Sequence, residues 1–309
     1  MNDTLTPVQQ RLFVALNPVA GSCTAADVRQ ALEAACSETG VDLEIYETTG
    51  QEDLPALVRQ ALARGCTRIV AAGGDGTVAA AVTALLNTGV PLAILPVGTA
   101  NLVARELNVP LELNAACRLA CSGGALRAID AMEVGERVFI SHISLGTYSR
   151  IAERTSALAK RRFRQLAYIW NAIPELLGGR SWRFRLMIDG RPHRVRAAFV
   201  MVANVGTVGA AWLRWGPDIQ PDDGRIDICV VRARTLLEYL SLMWYTLLHR
   251  HREYKKASYL IARERITIFT KRRLPVRGDG EVIGHGSVEI RIIPRGVRIL
   301  VPDAAPAAE

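Results

Sequence analysis

The chain has 309 residues, 50% of them apolar, and carries a net charge of +8 with a pI near 9.5. Such a length suits two domains, and the apolar share supplies real cores and excludes a disordered chain. No apolar run reaches the roughly 20 residues needed to cross a bilayer, because the longest, Leu236 to Leu248, is interrupted by Glu238. The opening MNDTLTPVQQRL lacks the charged-then-apolar pattern of a secretory signal, so a cytoplasmic protein is expected. Cations gather at Lys160 to Arg164, His249 to Lys256 and Lys271 to Arg273. They suit nucleic acid, anionic lipid, phosphorylated ligands or plain solvated faces. The six cysteines form no CxxC pair and the five histidines no HExxH. The cysteines therefore read as small buried hydrophobes, and Cys/His metal chemistry is not expected.

In chain order, Leu12 to Leu16 is a short apolar strand ended by Asn17-Pro18. Ala25 to Glu38 has helical periodicity up to Gly40, Val41 to Tyr46 alternates as a strand, and Glu52 to Arg64 is a helix closed by Gly65. Arg68 to Ala72 is a buried strand, then a glycine loop, then a helix through Leu86. Leu92 to Leu95 repeats the pattern with a second loop and a short helix. This alternation predicts a doubly wound α/β domain over residues 1–130, a parallel sheet with helices on both faces.

Beyond Asp130, strands dominate: 138–144, 182–188, 195–203, 226–231, 258–262, 266–269, 288–293 and 297–301, with Asp189-Gly190 as a hairpin turn. Helical stretches at 150–177 and 236–249 interrupt them. A mainly β domain over 131–294 follows, and the tail 304–309 reads as disordered.

The glycine loops carry the chemistry. Gly73-Gly74-Asp75-Gly76-Thr77-Val78 follows a buried strand and opens a helix, where backbone N–H groups form an anion site and glycine lets a phosphate approach. Asp75 would repel a bare phosphate, so it suits a Mg²⁺ complex or a helix cap. A tight turn capped by Asp75 is the structural alternative. Pro96-Val97-Gly98-Thr99-Ala100-Asn101 repeats the arrangement one βα unit later, and Asn17-Pro18-Val19-Ala20-Gly21 follows the first strand. All three belong to the carboxyl edge of a parallel sheet, where ligands bind, and together they favour a nucleotide site. A Walker A sequence and a G-x-G-x-x-G fingerprint are both absent.

The ordered set NP-x-x-G, GGDGTV and PVGTANLVARELNVP resembles the bacterial members of the diacylglycerol-kinase catalytic family, which includes sphingosine kinases. The likeness continues through Gln165 to Ile169, Asp222-Asp223-Gly224-Arg225-Ile226-Asp227 and Val276-Arg277-Gly278-Asp279-Gly280-Glu281, spanning residues 11 to 301. It implies a β-sandwich second domain and a final strand, 295–303, that returns to the first. Asn17, Thr48, Gly73, Gly74, Asp75, Gly76, Thr77, Gly98, Thr99 and Asn101 then match ATP-binding positions, with Thr49 an alternative to Thr48. Asp75 and Asp130 match carboxylates linked to the catalytic Mg²⁺, and Asp223 a structural Mg²⁺ site whose plain reading is a β-turn. Asp279 matches the general base, and Glu281 the carboxylate beside it; by itself Asp279-Gly280 is a hairpin turn. Leu102 stands where many relatives have Asp, removing one carboxylate from the Mg²⁺ network. His142 stands where many have Asn and reads as a satisfied core histidine.

The resemblance implies ATP and a lipid at a membrane surface as partners, the protein being cytoplasmic and peripheral; no nucleic acid is expected and a homodimer is left open. Apolar acceptor surface is expected on the helix containing Ala167, Ile169 and Trp170, or on Leu236 to Trp244. Ala at Asp75 or Asp279 is expected to abolish transfer with the fold intact. The alternatives are a kinase for a soluble acceptor such as NAD, and a non-catalytic protein binding membranes or nucleic acid through its basic patches.

Overall fold

The computed structural model describes residues 10–21, 23–147, 149, 179–208, 210–216, 218–248 and 250–303. The expected helix 150–177, with its basic cluster and acceptor residues, and the tail 304–309 lie outside the described residues. Contacts divide the chain into two units, Met1–Ala128 with Val297–Glu309, and Ile129–Gly296.

The first unit runs β1 (Arg11–Leu16), α1 (Ala25–Thr39), β2 (Asp42–Glu47), α2 (Leu54–Ala63), β3 (Arg68–Gly73), α3 (Asp75–Leu85), β4 (Leu92–Pro96), α4 (Leu102–Glu106) and α5 (Leu113–Ser122). Strands β1, β3 and β4 are apolar almost throughout because both faces are covered. They pair in parallel in the order β2-β1-β3-β4, and Ile299 of the last strand pairs parallel to Leu92. Leu12, Val14, Leu16, Val70, Ala72, Ala93 and Leu95 face α1 and α5 in one core. Helices α2 and α3 pack against each other and reach β1 and β3. The helix ends follow local chemistry: Thr24 and Asp27 form a capping box on α1, which stops at Gly40 in the left-handed conformation, and Asp53 caps α2. One expectation is corrected: Cys36 of α1 and Cys121 of α5 form a disulfide, their Cα atoms 5.3 Å apart where the two helices pack. Cys66, Cys117 and Cys229 are free and buried, as small hydrophobes are.

The second unit is an antiparallel sandwich. One sheet orders β14 (Ala257–Ala262), β13 (Ile226–Val231), β10 (Phe199–Ala203), β7 (His142–Gly146), β16 (Pro275–Gly278) and β17 (Glu281–His285). Facing it are β18 (Val288–Val301), β15 (Arg265–Phe269), β8 (Trp182–Ile188) and β9 (Arg191–Ala197). Period-2 alternation sends Phe184, Leu186 and Ile188 inward against Val200, Val202, Ile226, Ile228 and Val230. β5 (Ala125–Val134) pairs with β18 and with β6 (Arg137–Phe139), while β11 (Thr207–Val208) and β12 (Ala210–Arg214) form a separate hairpin. Helix α6 (Leu236–Leu247), started by a Thr235/Glu238 capping box, packs Leu242 on the outer face of the six-stranded sheet beside Phe199, Met201 and Cys229.

Three strand expectations change. Residues 138–144 divide into β6 and β7 at Ile140-Ser141, whose N–H groups turn to the Asp279 carboxylate instead of a ladder. Residues 195–203 divide at Ala198, where the chain passes from one sheet to the other. Residues 288–301 form one strand bent at Arg295, which has a φ of 51°.

Candidate active site

The three glycine-bearing loops of the first unit touch. Gly98 N–H donates to the Gly73 carbonyl at 3.2 Å and Asn17 N–H to the Ala72 carbonyl at 2.9 Å. Gly21, with a φ of 72°, presses on the Val97 carbonyl so closely that no Cβ could fit. A Cβ on Gly98 would lie 3.0 Å from Gly74 N and 2.7 Å from Asn101 Oδ1. These glycines are therefore demanded by close backbone approach.

Helix α3 starts at this junction with no side-chain cap, its N-cap Gly74 being extended. Thr24, Asp53, Glu112 and Thr235 cap α1, α2, α5 and α6. The uncapped start leaves backbone donors and the positive end of the helix for an anion. Asp75, the first residue of α3, accepts from Leu102 N–H at 2.7 Å through Oδ1, tying α3 to α4. Burial holds the Asp75 carboxyl above the usual carboxylate range. Asn101 sits at the start of α4 with a φ of 49°, and its Nδ2 donates to the Pro96 and Gly98 carbonyls at 2.7 and 2.9 Å. Its Oδ1 is buried without a hydrogen-bond donor. A buried acceptor left open beside glycine loops fits a nucleotide, whose hydroxyls or magnesium-bound waters would satisfy it. Thr49 is committed to Glu52, its hydroxyl donating at 2.7 Å. Thr48 N–H bonds to the Leu16 carbonyl at 2.8 Å. Thr99 is exposed at the loop tip and Thr77 is buried in the first turn of α3.

In the second unit, Asp279 heads the β16–β17 turn with a φ of 44° and is 7% exposed. Its Oδ1 accepts from Ser141 N–H at 3.0 Å, His142 N–H at 2.9 Å and the Ser141 hydroxyl, and its Oδ2 accepts from Ile140 N–H at 3.0 Å. A carboxylate that anchors a buried turn so heavily is expected to destabilise the fold when cut to Ala, against the sequence expectation of a largely intact Asp279→Ala protein. Glu281 is exposed and ion-paired with Arg137 at 2.7 Å. His142 Nε2 donates to the Val205 carbonyl at 3.0 Å, the satisfied arrangement expected of it.

Asp130 is fully buried, and its two oxygens accept from Arg295 and Gly224 N–H groups, both at 2.7 Å. Burial raises its pKa, helped by the Asp223 and Asp222 charges. Asp223 pairs with Arg225 at 2.9 Å, so a cation of the chain itself occupies the carboxylate. That donor set does not fit a structural metal. Among the described residues no three His, Cys, Asp or Glu side chains gather as a metal-ligating group. Asp75, with one oxygen held by Leu102, still suits a magnesium reached through water.

Sequence reading missed Ser141 and Asn204. Asn204 Nδ2 donates to the Asp130 and Ile140 carbonyls at 2.8 and 3.0 Å, joining the segment that bears Asp130 to the one that holds the Asp279 carboxylate. The available signal was a polar residue ending the apolar run of β10.

Comparison with known proteins accords with this geometry. Residues 11–134 match the diacylglycerol kinase catalytic domain, and residues 141–301 the YegS C-terminal, NAD kinase beta sandwich-like domain. A Pseudomonas fluorescens sequence named as a probable YegS-like lipid kinase is 30% identical over 91% of this chain and 92% of its own length. The diacylglycerol kinase of Bacillus subtilis is 26% identical over 86% and 88%. An uncharacterized Synechocystis protein is 25% identical over 85% of this chain, which spans 62% of that relative. A Bacillus anthracis diacylglycerol kinase crystal structure, 24% identical, shares the fold with a TM-score of 0.75 over 97% of this chain and 98% of its own.

The class is thus a kinase that joins an α/β nucleotide fold to an NAD-kinase-type β-sandwich. The chain belongs to the diacylglycerol kinase catalytic-domain family, in its YegS-like lipid kinase branch.

Proposed function

We propose that this protein transfers the γ-phosphate of ATP, with Mg²⁺, to a lipid hydroxyl of the diacylglycerol, phosphatidylglycerol or sphingoid type. The reading is carried by the three touching glycine loops at the uncapped start of α3, with the unpaired Oδ1 of Asn101 among them. In it, residues 1–130 bind nucleotide and 131–294 serve the acceptor, the protein meeting its lipid as a peripheral visitor; among the described residues no helix is long and apolar enough to cross a membrane.

Gly73, Gly74 and Gly76 let the phosphates approach the start of α3, with Thr77 in its first turn, while Asn17, Thr48, Gly98, Thr99 and Asn101 hold the rest of the nucleotide. Asp75 would hold Mg²⁺ through water, and the bound ion would neutralise β- and γ-phosphate charge. Asp279 takes the proton of the acceptor hydroxyl as that oxygen bonds to the γ-phosphorus and the bond to the β-phosphate oxygen breaks. Glu281, held by Arg137, supports the turn that carries Asp279.

The test is transfer of γ-label from ATP to a mixed lipid extract with Mg²⁺, comparing wild type with Asp279→Asn. A labelled lipid from wild type alone is expected. Label on NAD or another soluble acceptor, and on no lipid, would overturn the assignment.

A further inference from the structure

We propose that α6 is the membrane-docking element of the second unit, laying an exposed apolar stripe into the surface of an anionic bilayer. The inference deepens the lipid-kinase reading and rests on it only for its purpose. Leu236, Leu237, Leu240, Met243, Trp244 and Leu247 are all exposed, with Leu237 at 78% and Trp244 at 61%. At 100° per residue they fill an arc of about 120° on one side of the helix. The opposite side holds Leu242 and Thr246, which are buried. The only charge in the helix, Glu238, is off the stripe and bonds Lys256 and the backbone N–H of Arg234. Contiguous exposed apolar surface of this kind marks an interaction site.

The rim identifies the occupant. Residues 232–235 and 250–256, which enter and leave the helix, carry Arg232, Arg234, Arg250, Arg252, Lys255 and Lys256 against the single acid Glu253. Glu253 is already held by Arg250 at 2.9 Å. A second copy related by a twofold axis would bring this cationic rim against itself. Anionic lipid complements it, each cation near the surface strengthening binding roughly fivefold. The helix is about 18 Å long, too short to span and suited to lying in the interface with its Trp and Leu side chains down.

The other outer face of the sandwich presents a competing surface. Arg183 lies opposite Arg196, and Arg185 opposite Arg194, all four exposed. That face points away from α6, because β8 sends Phe184 and Leu186 into the core that divides the two sheets. One flat bilayer can engage only one of the two faces.

The experiment is nucleotide-free sedimentation with phosphatidylglycerol/phosphatidylcholine vesicles, using wild type, Leu237→Asp/Leu240→Asp and Arg185→Gln/Arg194→Gln. Wild type is expected to bind, less so at high salt. The leucine pair is expected to bind about a hundredfold more weakly, roughly tenfold for each side chain withdrawn, at an unchanged melting temperature. The arginine pair is expected to bind within a few-fold of wild type, since its face is turned away. The leucine pair sedimenting like wild type, or the arginine pair alone losing binding, would overturn the proposal. So would a wild-type dimer that ignores vesicles and becomes monomeric in the leucine pair. Transfer to a short-chain acceptor dispersed as monomers separates the two readings. Turnover by wild type is expected. No turnover, with vesicle binding intact, would sink the lipid-kinase reading and leave the docking surface standing.

Discussion

Asp279→Ala is expected to fail as a protein before it fails as an enzyme. The carboxylate takes hydrogen bonds from three backbone N–H groups, those of Ile140, Ser141 and His142, and from the Ser141 hydroxyl, in a setting only 7% exposed. Each orphaned buried donor costs about 1–3 kcal/mol, and a left-handed backbone costs Ala about 1–2 kcal/mol more. Even with strong non-additivity the loss is about 5 kcal/mol, comparable with the whole stability of many domains. Asp279→Asn behaves differently. Asn tolerates the φ of 44°, its carbonyl oxygen can receive the three Oδ1 donors, and the amide facing Ile140 N–H is mismatched. That mismatch costs about 1–3 kcal/mol, several degrees of melting temperature. Thermal melts beside label transfer at a temperature where Asp279→Asn is folded make the comparison. The expected result is a poorly folded Ala variant and a folded, inactive Asn variant. An Ala variant that melts with wild type would refute the anchoring argument, and an Asn variant with full turnover would remove Asp279 as the base.

Asp227 is 6% exposed, and burial lifts its pKa from 3.8 to about 6. The folded state therefore binds the proton more tightly than the unfolded state. Stability falls as pH rises from about 4 to about 6, by roughly 2 kcal/mol after allowance for solvent near the carboxylate. Asp227→Asn should melt several degrees higher than wild type at pH 7.5 and level with it at pH 4; equal melts at both pH values would dismiss the burial cost. Gly98→Ala must separate the Gly74 and Gly98 loops, so ATP affinity measured by calorimetry should fall at least about tenfold in a folded protein. Unchanged affinity would place the nucleotide elsewhere. Asn204→Ala leaves the buried Asp130 and Ile140 carbonyls without its amide, and a denaturant midpoint lower by about 2–4 kcal/mol of stability is expected. A neutral result would mean that water replaces the amide.

The first unit was legible because its physics is local. Strands covered on both faces are written as unbroken apolar runs, and Gly40 marks the end of α1 through a bond to Cys36 four positions away. The sandwich was less legible because its divisions are decided at long range. Nothing within 138–144 announces that Ile140 and Ser141 give their N–H groups to a side chain 139 and 138 positions later. Asp279 carries the same lesson in reverse: its Asp-Gly turn was readable, its four donors were not. The disulfide likewise joins cysteines 85 positions apart that become neighbours only through the packing of α1 on α5.

Leu102 shows why backbone contacts escape a reading of side chains. Compared with its relatives, the position looks like a lost magnesium carboxylate. In the structure its N–H is what holds Asp75 Oδ1, at 2.7 Å, while its side chain plays no part in that bond. Any residue except proline supplies this donor, so the tie between α3 and α4 survives replacement of the acid. The change that the resemblance implies at Leu102 therefore leaves untouched the placement of Asp75.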